Sequence, residues 1–299
     1  MTSCVLVHNP VSRASMRREQ INDVIAIARI AGWRVTPRTT DAAGHATALA
    51  REAAEHEVDV LLVNGGDGTV NEVVNGLAGT RTALAVLPGG TANVWAKEIG
   101  LSRKPMHALR AALDGERRSV DLGRAGERYF LLMAGVGLDA EIVPRVGSRL
   151  KRRAGALAYI TAGAGPALRG KSHATRMTID GAAKETGLHW MIVGNTRSYG
   201  GLVRITHRAT VTDGRLDMAL MHRGGIRRLI VDGVRVLRGR HERSLNVTYV
   251  QAASIDVETA GIPVQVDGEA HGVTPMRFEA VPGALEVIVP VGLRSPLFG

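Results

Sequence analysis

The sequence predicts a two-part protein: an α/β N-terminal domain built on a parallel sheet, then an all-β-leaning C-terminal sandwich domain. Three observations predict it. Through residues 1–125, apolar runs alternate with segments of helical periodicity, the pattern that builds parallel sheets. Two of those runs pass directly into a glycine turn and then a helix, in "VNGGDGTVNEVV" and "VLPGGTANVWAKEIG". From Tyr129 onward short strand-like runs dominate, with glycine turns between them.

Each element has its own reason. "CVLVHNP" is a strand that ends at Pro10, with Cys4 among its apolar residues. "REQINDVIAIARIAG" places Ile21, Val24, Ile25 and Ala28 on one helical face and stops at Gly32. "WRVTPRTT" is a second strand, weakened by Pro37, and "DAAGHATALAREAAEHE" a second helix. Val58, Val60, Leu61, Leu62 and Val63 run on without polar alternation, as in a strand buried on both faces. Val70, Val73, Val74 and Leu77 then recur at helical spacing, with Thr69 as N-cap and Glu72 reaching back to it in a capping box. The fourth unit repeats the plan: a strand to Leu87, the turn Pro88-Gly89-Gly90, and a helix from about Ala92.

The boundary falls at 123–128, so 1–125 form the α/β domain and 126–290 the β-sandwich. Residues 291–299 are a tail that can return to the first domain. Within the second half, turns are expected at Asp180-Gly181, Asp213-Gly214 and Pro282-Gly283, and one helix at 226–237.

In open parallel sheets ligands bind beyond the carboxyl ends of the strands. Asn9, Pro10, Thr40, Gly65, Gly66, Asp67, Gly68, Thr69, Asn71 and the 89–93 turn should therefore gather at one rim. A strand, a glycine turn and a helix N-terminus together expose N–H groups at a positive dipole end, which suits phosphate. A Walker-type loop, with its lysine, is absent from the sequence.

Composition narrows the partners. The 299 residues carry 38 basic against 28 acidic side chains, a net charge of +10, which suits phosphates or the anionic face of a membrane. Aromatics are only 3% and scattered, so nucleic-acid binding through stacked aromatics is not expected. A single cysteine rules out an internal disulfide framework and fits a reducing cytoplasm. No signal-peptide layout opens the sequence, and no apolar run reaches the ~18 residues that span a bilayer. The nearest stretch, residues 154–168 beside Lys151, Arg152 and Arg153, is either a buried helix or an interfacial segment.

Other motifs leave alternatives open. "GVGLDA" matches a loose dinucleotide fingerprint, but its position favours a tight backbone passage. "VQVDGEAHG" sets Asp267 and Glu269 about Gly268, as either a solvated turn or a general base and its partner. Asp213, in "ATVTDGRLD", could hold a hard cation with nearby backbone carbonyls. His45 and His189 lack metal-ligand spacing.

Taken together, "GGDGTVNEVVNGL", "LPGGTANVWAKEIG", "TTDAAGHATALAREA", "GVGLDA", "TDGRLD" and "DGE" resemble the diacylglycerol kinase catalytic family. That family includes bacterial soluble lipid kinases and the related sphingosine and ceramide kinases, and the resemblance runs from Asn9 to Glu269. It implies an NAD kinase/phosphofructokinase-like first domain, a sandwich second domain and an active site in the cleft between them, with ATP as donor and Mg²⁺ as metal. By resemblance the nucleotide meets Asn9, Pro10, Thr40, Gly65, Gly66, Asp67, Gly68, Thr69, Asn71 and Thr91. A structural Mg²⁺ falls to Asp213 with the backbone carbonyls of Thr210 and Arg215. Asp267 and Glu269 match the family's proposed catalytic pair, and Asp67 an aspartate assigned as base or metal partner.

Two positions depart from the pattern: Arg13 stands where glycine is common, and Val94 where the family writes aspartate. The function implied is ATP-dependent phosphorylation of a lipid hydroxyl, with diacylglycerol, giving phosphatidic acid, as the leading acceptor. An NAD kinase and a catalytically silent lipid- or nucleotide-binding protein are the rivals. The expected partner is a lipid at an anionic membrane surface, reached peripherally from the cytoplasm, with no nucleic acid. A strand edge could pair two copies as a homodimer.

Overall fold

The computed structural model describes residues 1–138, 140, 172–201, 203–225, 231–232, 234–236, 238 and 241–299. Lys151, Arg152 and Arg153, the stretch 154–168, Asp139 and much of the expected helix at 226–237 lie outside the described residues. The chain divides into two units, Met1–Leu122 with Pro282–Gly299, and Gly123–Val281.

In the first unit, strand β1 (Thr2–His8), helix α1 (Arg18–Ile30), β2 (Trp33–Thr39), α2 (His45–Glu55), β3 (Val60–Gly65), α3 (Asp67–Leu77) and β4 (Ala83–Pro88) follow in alternation. Short α4 (Val94–Glu98), α5 (Pro105–Leu113) and the first part of β5 (Glu116–Ala125) complete the run. The parallel order is β2-β1-β3-β4. β3 and β4 are buried at every position, which is why their sequences show no polar alternation. Among the described residues β2 pairs only with β1, and an edge strand tolerates Pro37, whose missing N–H is then not needed by a second ladder. Leu6, Leu62, Leu87, Val24, Ala28 and Leu109 belong to one core cluster on this sheet. Cys4 is buried in β1, and burial pushes its thiol up to about 12.

Two local expectations are corrected. Helix α3 starts earlier, with Gly66 as N-cap, and Thr69 lies inside it. Glu72 does not reach back to Thr69. Its Oε2 accepts the Ala46 N–H at 3.1 Å, capping the first turn of α2 instead. Helix α4 begins at Val94 rather than about Ala92, because Asn93 is left-handed (φ 48°) and ends the turn.

The second unit is strand-built. It contains β6 (Arg128–Phe130), β7 (Met133–Gly137), β8 (His173–Ile179), β9 (Ala182–Leu188), β10 (Trp190–Gly194), β11 (Ser198–Tyr199) and β12 (Val203–Arg204). After these come β13 (Leu216–Met221), β14 (Val247–Ala252), β15 (Ser254–Val257), β16 (Pro263–Val266), β17 (Glu269–Val273) and the first part of β18 (Met276–Val289). One antiparallel sheet runs β14-β13-β10-β7-β16-β17, and β18, β15, β8 and β9 follow one another in a second. Phe130, Met191, Leu216, Leu220, Ile255, Val264 and Phe278 share the core of this unit. That is the antiparallel sandwich the sequence predicts.

Pro282-Gly283 is not a turn between two strands. β18 continues through it, with Gly283 at φ 59°. The return to the first unit therefore starts at Pro282, ahead of residue 291. Val287 of β18 pairs with Leu84 of β4, and Leu297 in the tail is fully buried. The "GVGLDA" stretch is a tight passage: a Cβ at Gly137 (φ 83°) would lie 2.8 Å from the His189 carbonyl oxygen.

Candidate functional site

The parallel register fixes where the first unit can bind anything. β1, β3 and β4 end at His8, Gly65 and Pro88, so the segments that follow them leave from one edge of the sheet. Thr40, just past β2, donates its N–H to the His8 carbonyl at 2.9 Å and joins the same edge. Asn9, Gly65, Gly66, Asp67, Gly68, Thr69 and Thr91 lie there too. Pro10 and Thr91 are exposed, and Asn9, Gly66, Asp67 and Gly68 half-buried. Thr40, Gly65, Thr69 and Asn71 are buried.

The loops are bonded to one another. Asn9 Nδ2 donates to Thr69 Oγ1 at 2.8 Å, joining the loop after β1 to helix α3. Asn93 closes its own turn, with Oδ1 accepting the Gly90 N–H at 2.8 Å and Nδ2 donating to the Gly90 carbonyl at 2.9 Å. The two glycine turns touch backbone to backbone: a Cβ at Gly90 would lie 2.5 Å from the Gly66 Cα. Asp67 ties them. Its Oδ1 accepts the Val94 N–H at 2.6 Å and its Oδ2 the Asn93 N–H at 2.9 Å. Burial pushes this carboxyl above the ordinary aspartate range, against the opposing pull of those N–H groups and of Lys97. Val94 is itself buried, so an apolar side chain suits the position, and its N–H is capped by Asp67. Arg13, the other departure, is exposed.

Beneath this rim lie two side chains that the sequence reading passed over, His8 and Asn64, hydrogen-bonded at 3.0 Å. Asn64 is fully buried. The signal was present: a lone amide closes an otherwise apolar strand, where an unpaired polar group is costly.

In the second unit, Asp267 and Gly268 form the two-residue turn of the β16–β17 hairpin, both with positive φ (48° and 82°). The Asp267 carboxylate accepts the N–H groups of Leu131, Leu132 and Met133 at 3.1, 3.2 and 2.8 Å. Glu269 opens β17, is exposed, and pairs with Arg128 at 2.6 Å. The two carboxylates thus have different surroundings: one organises backbone, the other is held by a side chain.

Asp213 is exposed, and its Oδ1 accepts the Arg215 N–H at 3.0 Å. Among the described residues no group of three or more His, Cys, Asp or Glu could hold a metal ion. The donors available at Thr210, Asp213 and Arg215 are one carboxylate and backbone carbonyls. All are hard oxygens of the kind Mg²⁺ takes while keeping several waters. His45 Nδ1 lies 3.4 Å from Asp41, and His189 is buried with its N–H on the Met221 carbonyl.

Comparison with known proteins agrees with this fold. Residues 3–125 match the diacylglycerol kinase catalytic domain, and residues 133–289 the YegS C-terminal NAD kinase beta sandwich-like domain. The diacylglycerol kinase of Bacillus subtilis is 31% identical, over 95% of this chain and 95% of that protein. The "Probable lipid kinase YegS-like" of Chromohalobacter salexigens is 31% identical, over 93% and 91%. A solved chain from Bacillus anthracis str. Sterne superposes with a TM-score of 0.83 at 25% identity, covering 98% of each chain. The fold and the matches define an ATP-dependent lipid kinase. The chain belongs to the diacylglycerol kinase family.

Proposed function

We propose that the chain transfers the γ-phosphoryl group of ATP to the hydroxyl of diacylglycerol, giving phosphatidic acid. The observation that carries this reading is the Asp67 tether, which holds two glycine turns together at the N-terminus of α3. The names of relatives that align over nearly the whole chain supply the acceptor. Phosphoryl transfer asks the protein for positioning and charge stabilisation more than for covalent work.

In this reading Asn9, Pro10, Thr40, Gly65, Gly66, Asp67, Gly68, Thr69, Asn71 and Thr91 form the nucleotide set. The first-turn N–H groups of α3 face phosphate at the positive end of the helix. Mg²⁺, the metal this reading pairs with ATP, offsets phosphate charge when bound. A separate, structural Mg²⁺ has Asp213 and the carbonyls of Thr210 and Arg215 as its proposed ligands. Of the three carboxylates offered as base, Asp67 and Asp267 hold backbone N–H groups. Glu269, paired among the described residues with the Arg128 side chain, is the proposed proton acceptor. The net charge of +10 favours an anionic membrane surface approached from the cytoplasm.

The test supplies purified protein with γ-labelled ATP and Mg²⁺, and either diacylglycerol dispersed in anionic lipid or NAD. Label is expected in phosphatidic acid. Label on NAD alone, or retained ATP binding with no lipid product, overturns the reading.

A further inference from the structure

A buried side-chain pair lies under the rim and belongs to no expected contact set. Asn64, the penultimate residue of β3, is fully buried, and its amide has three partners on three segments. Its Oδ1 accepts from His8 Nδ1 at the end of β1 (3.0 Å) and from the Met16 N–H in the following loop (3.3 Å). Its Nδ2 donates to the Leu87 carbonyl of β4 at 3.1 Å. Because Oδ1 is the acceptor for both, His8 Nδ1 carries the proton. The other ring nitrogen, Nε2, lies 3.4 Å from Ser15 Oγ.

The backbone of the same two residues sets the adjacent positions. The Asn64 carbonyl accepts the Asn9 N–H at 2.9 Å, the His8 carbonyl accepts the Thr40 N–H at 2.9 Å, and Gly65 follows Asn64 directly. Ala14 donates to the Gly89 carbonyl at 2.8 Å, and Gly89 to the Gly65 carbonyl at 2.8 Å. The amide lies close under that turn, since a Cβ at Gly89 would come within 3.0 Å of Asn64 Nδ2. A plain parallel sheet closes its strand ends with apolar packing. Here directional hydrogen bonds from one buried amide join the ends of β1 and β4 and the loop after β1.

We propose that His8 and Asn64 are positioning residues for ATP, setting the separation of the loops after β1, β3 and β4. The inference rests on the reading of this rim as the nucleotide site. Loss of Asn64 takes the acceptor from His8 Nδ1 and the Met16 N–H, and loss of His8 leaves Asn64 Oδ1 with the longer Met16 bond alone; in either case the loops relax apart rather than the core collapsing. Asparagine places its amide nitrogen where the histidine Nδ1 stands, so His8→Asn keeps the donor and His8→Leu removes it.

The experiment measures ATP KM, lipid KM, kcat and thermal stability for His8→Leu, His8→Asn, Asn64→Ala and the double variant His8→Leu/Asn64→Ala. Thr69→Val serves as a variant of the rim itself. His8→Leu and Asn64→Ala are expected to raise ATP KM about tenfold, with lipid KM unchanged and kcat within about twofold. His8→Asn is expected to restore ATP KM to near the wild-type value. The double variant should cost little more than either single change, as interacting neighbours do.

If His8→Leu and Asn64→Ala lower stability but leave ATP KM unchanged while Thr69→Val raises it, the pair is core packing and the inference is overturned. If Thr69→Val also leaves ATP KM unchanged, the nucleotide reading of the rim falls with it. Equal effects of His8→Asn and His8→Leu likewise overturn the inference, because the donor then has no role.

Discussion

Asp67 Oδ1 accepts the Val94 N–H at 2.6 Å, a side chain of one glycine turn capping the helix that leaves the next. With the second oxygen on the Asn93 N–H, the carboxylate is a brace between two loops. Such a group supports function by holding backbone in place. Asp67→Ala is expected to cost on the order of 2 kcal/mol of stability and to raise ATP KM, as read by denaturant unfolding and initial rates. Unchanged stability with kcat alone abolished would return Asp67 to the role of base.

The same carboxyl titrates in a defined direction. Burial raises it, so the folded protein binds this proton more tightly than the unfolded chain does. Its contribution is fully present below the ordinary aspartate range, ~3.9, and is lost as pH rises through the raised value. The stability of wild type relative to Asp67→Asn should therefore fall as pH rises from 3 to 8. A relative stability that rises over that range contradicts the burial argument.

Asp267 and Glu269 should separate by phenotype. Glu269→Gln is expected to lower kcat by about 10²- to 10⁴-fold with little change in melting temperature. Asp267→Asn, which weakens three backbone hydrogen bonds, should lower stability by about 1–3 kcal/mol. The reverse pattern in calorimetry and lipid-kinase rates would exchange the two roles.

Metal dependence gives a readout apart from turnover. If Asp213 with the Thr210 and Arg215 carbonyls holds Mg²⁺, millimolar Mg²⁺ raises the melting temperature of wild type, and Asp213→Ala abolishes that increment. An equal increment in both proteins removes Asp213 from metal binding.

Glu279 behaves oppositely to Asp67. Hydrogen bonds from Arg124 and Arg277 hold its carboxyl below the usual glutamate range. Its contribution is present above that range and lost as pH falls through the depressed value. Glu279→Gln should melt earlier than wild type at pH 7, and the two curves should converge in acid. A difference that persists undiminished in acid contradicts the ion-pair origin.

Much of the fold is legible because the signals are local. The unbroken apolar runs of β3 and β4 are what a doubly covered parallel strand requires, and Asp180-Gly181 is the turn of the β8–β9 hairpin, as its composition indicates. What was illegible depends on tertiary partners. Glu72 fits a capping box by spacing, yet the Ala46 N–H of α2 is the donor it meets. Pro282-Gly283 carries a turn composition, yet β18 runs on through it, with the Gly283 N–H donated to Asp121 Oδ1 at 2.8 Å. The rim itself could be placed from the chain, since every glycine turn follows a strand. The bracing beneath it could not, because His8 and Asn64 are distant in sequence and meet only through strand register.

The lone thiol of Cys4 has a practical consequence. It is enclosed within an inner strand of the first unit and stays protonated well above neutral pH, so alkylating reagents meet no thiolate in the native protein. Labelling then requires that strand to open. The residue is a built-in clock for unfolding, readable by mass in one atom of sulfur without any engineered probe.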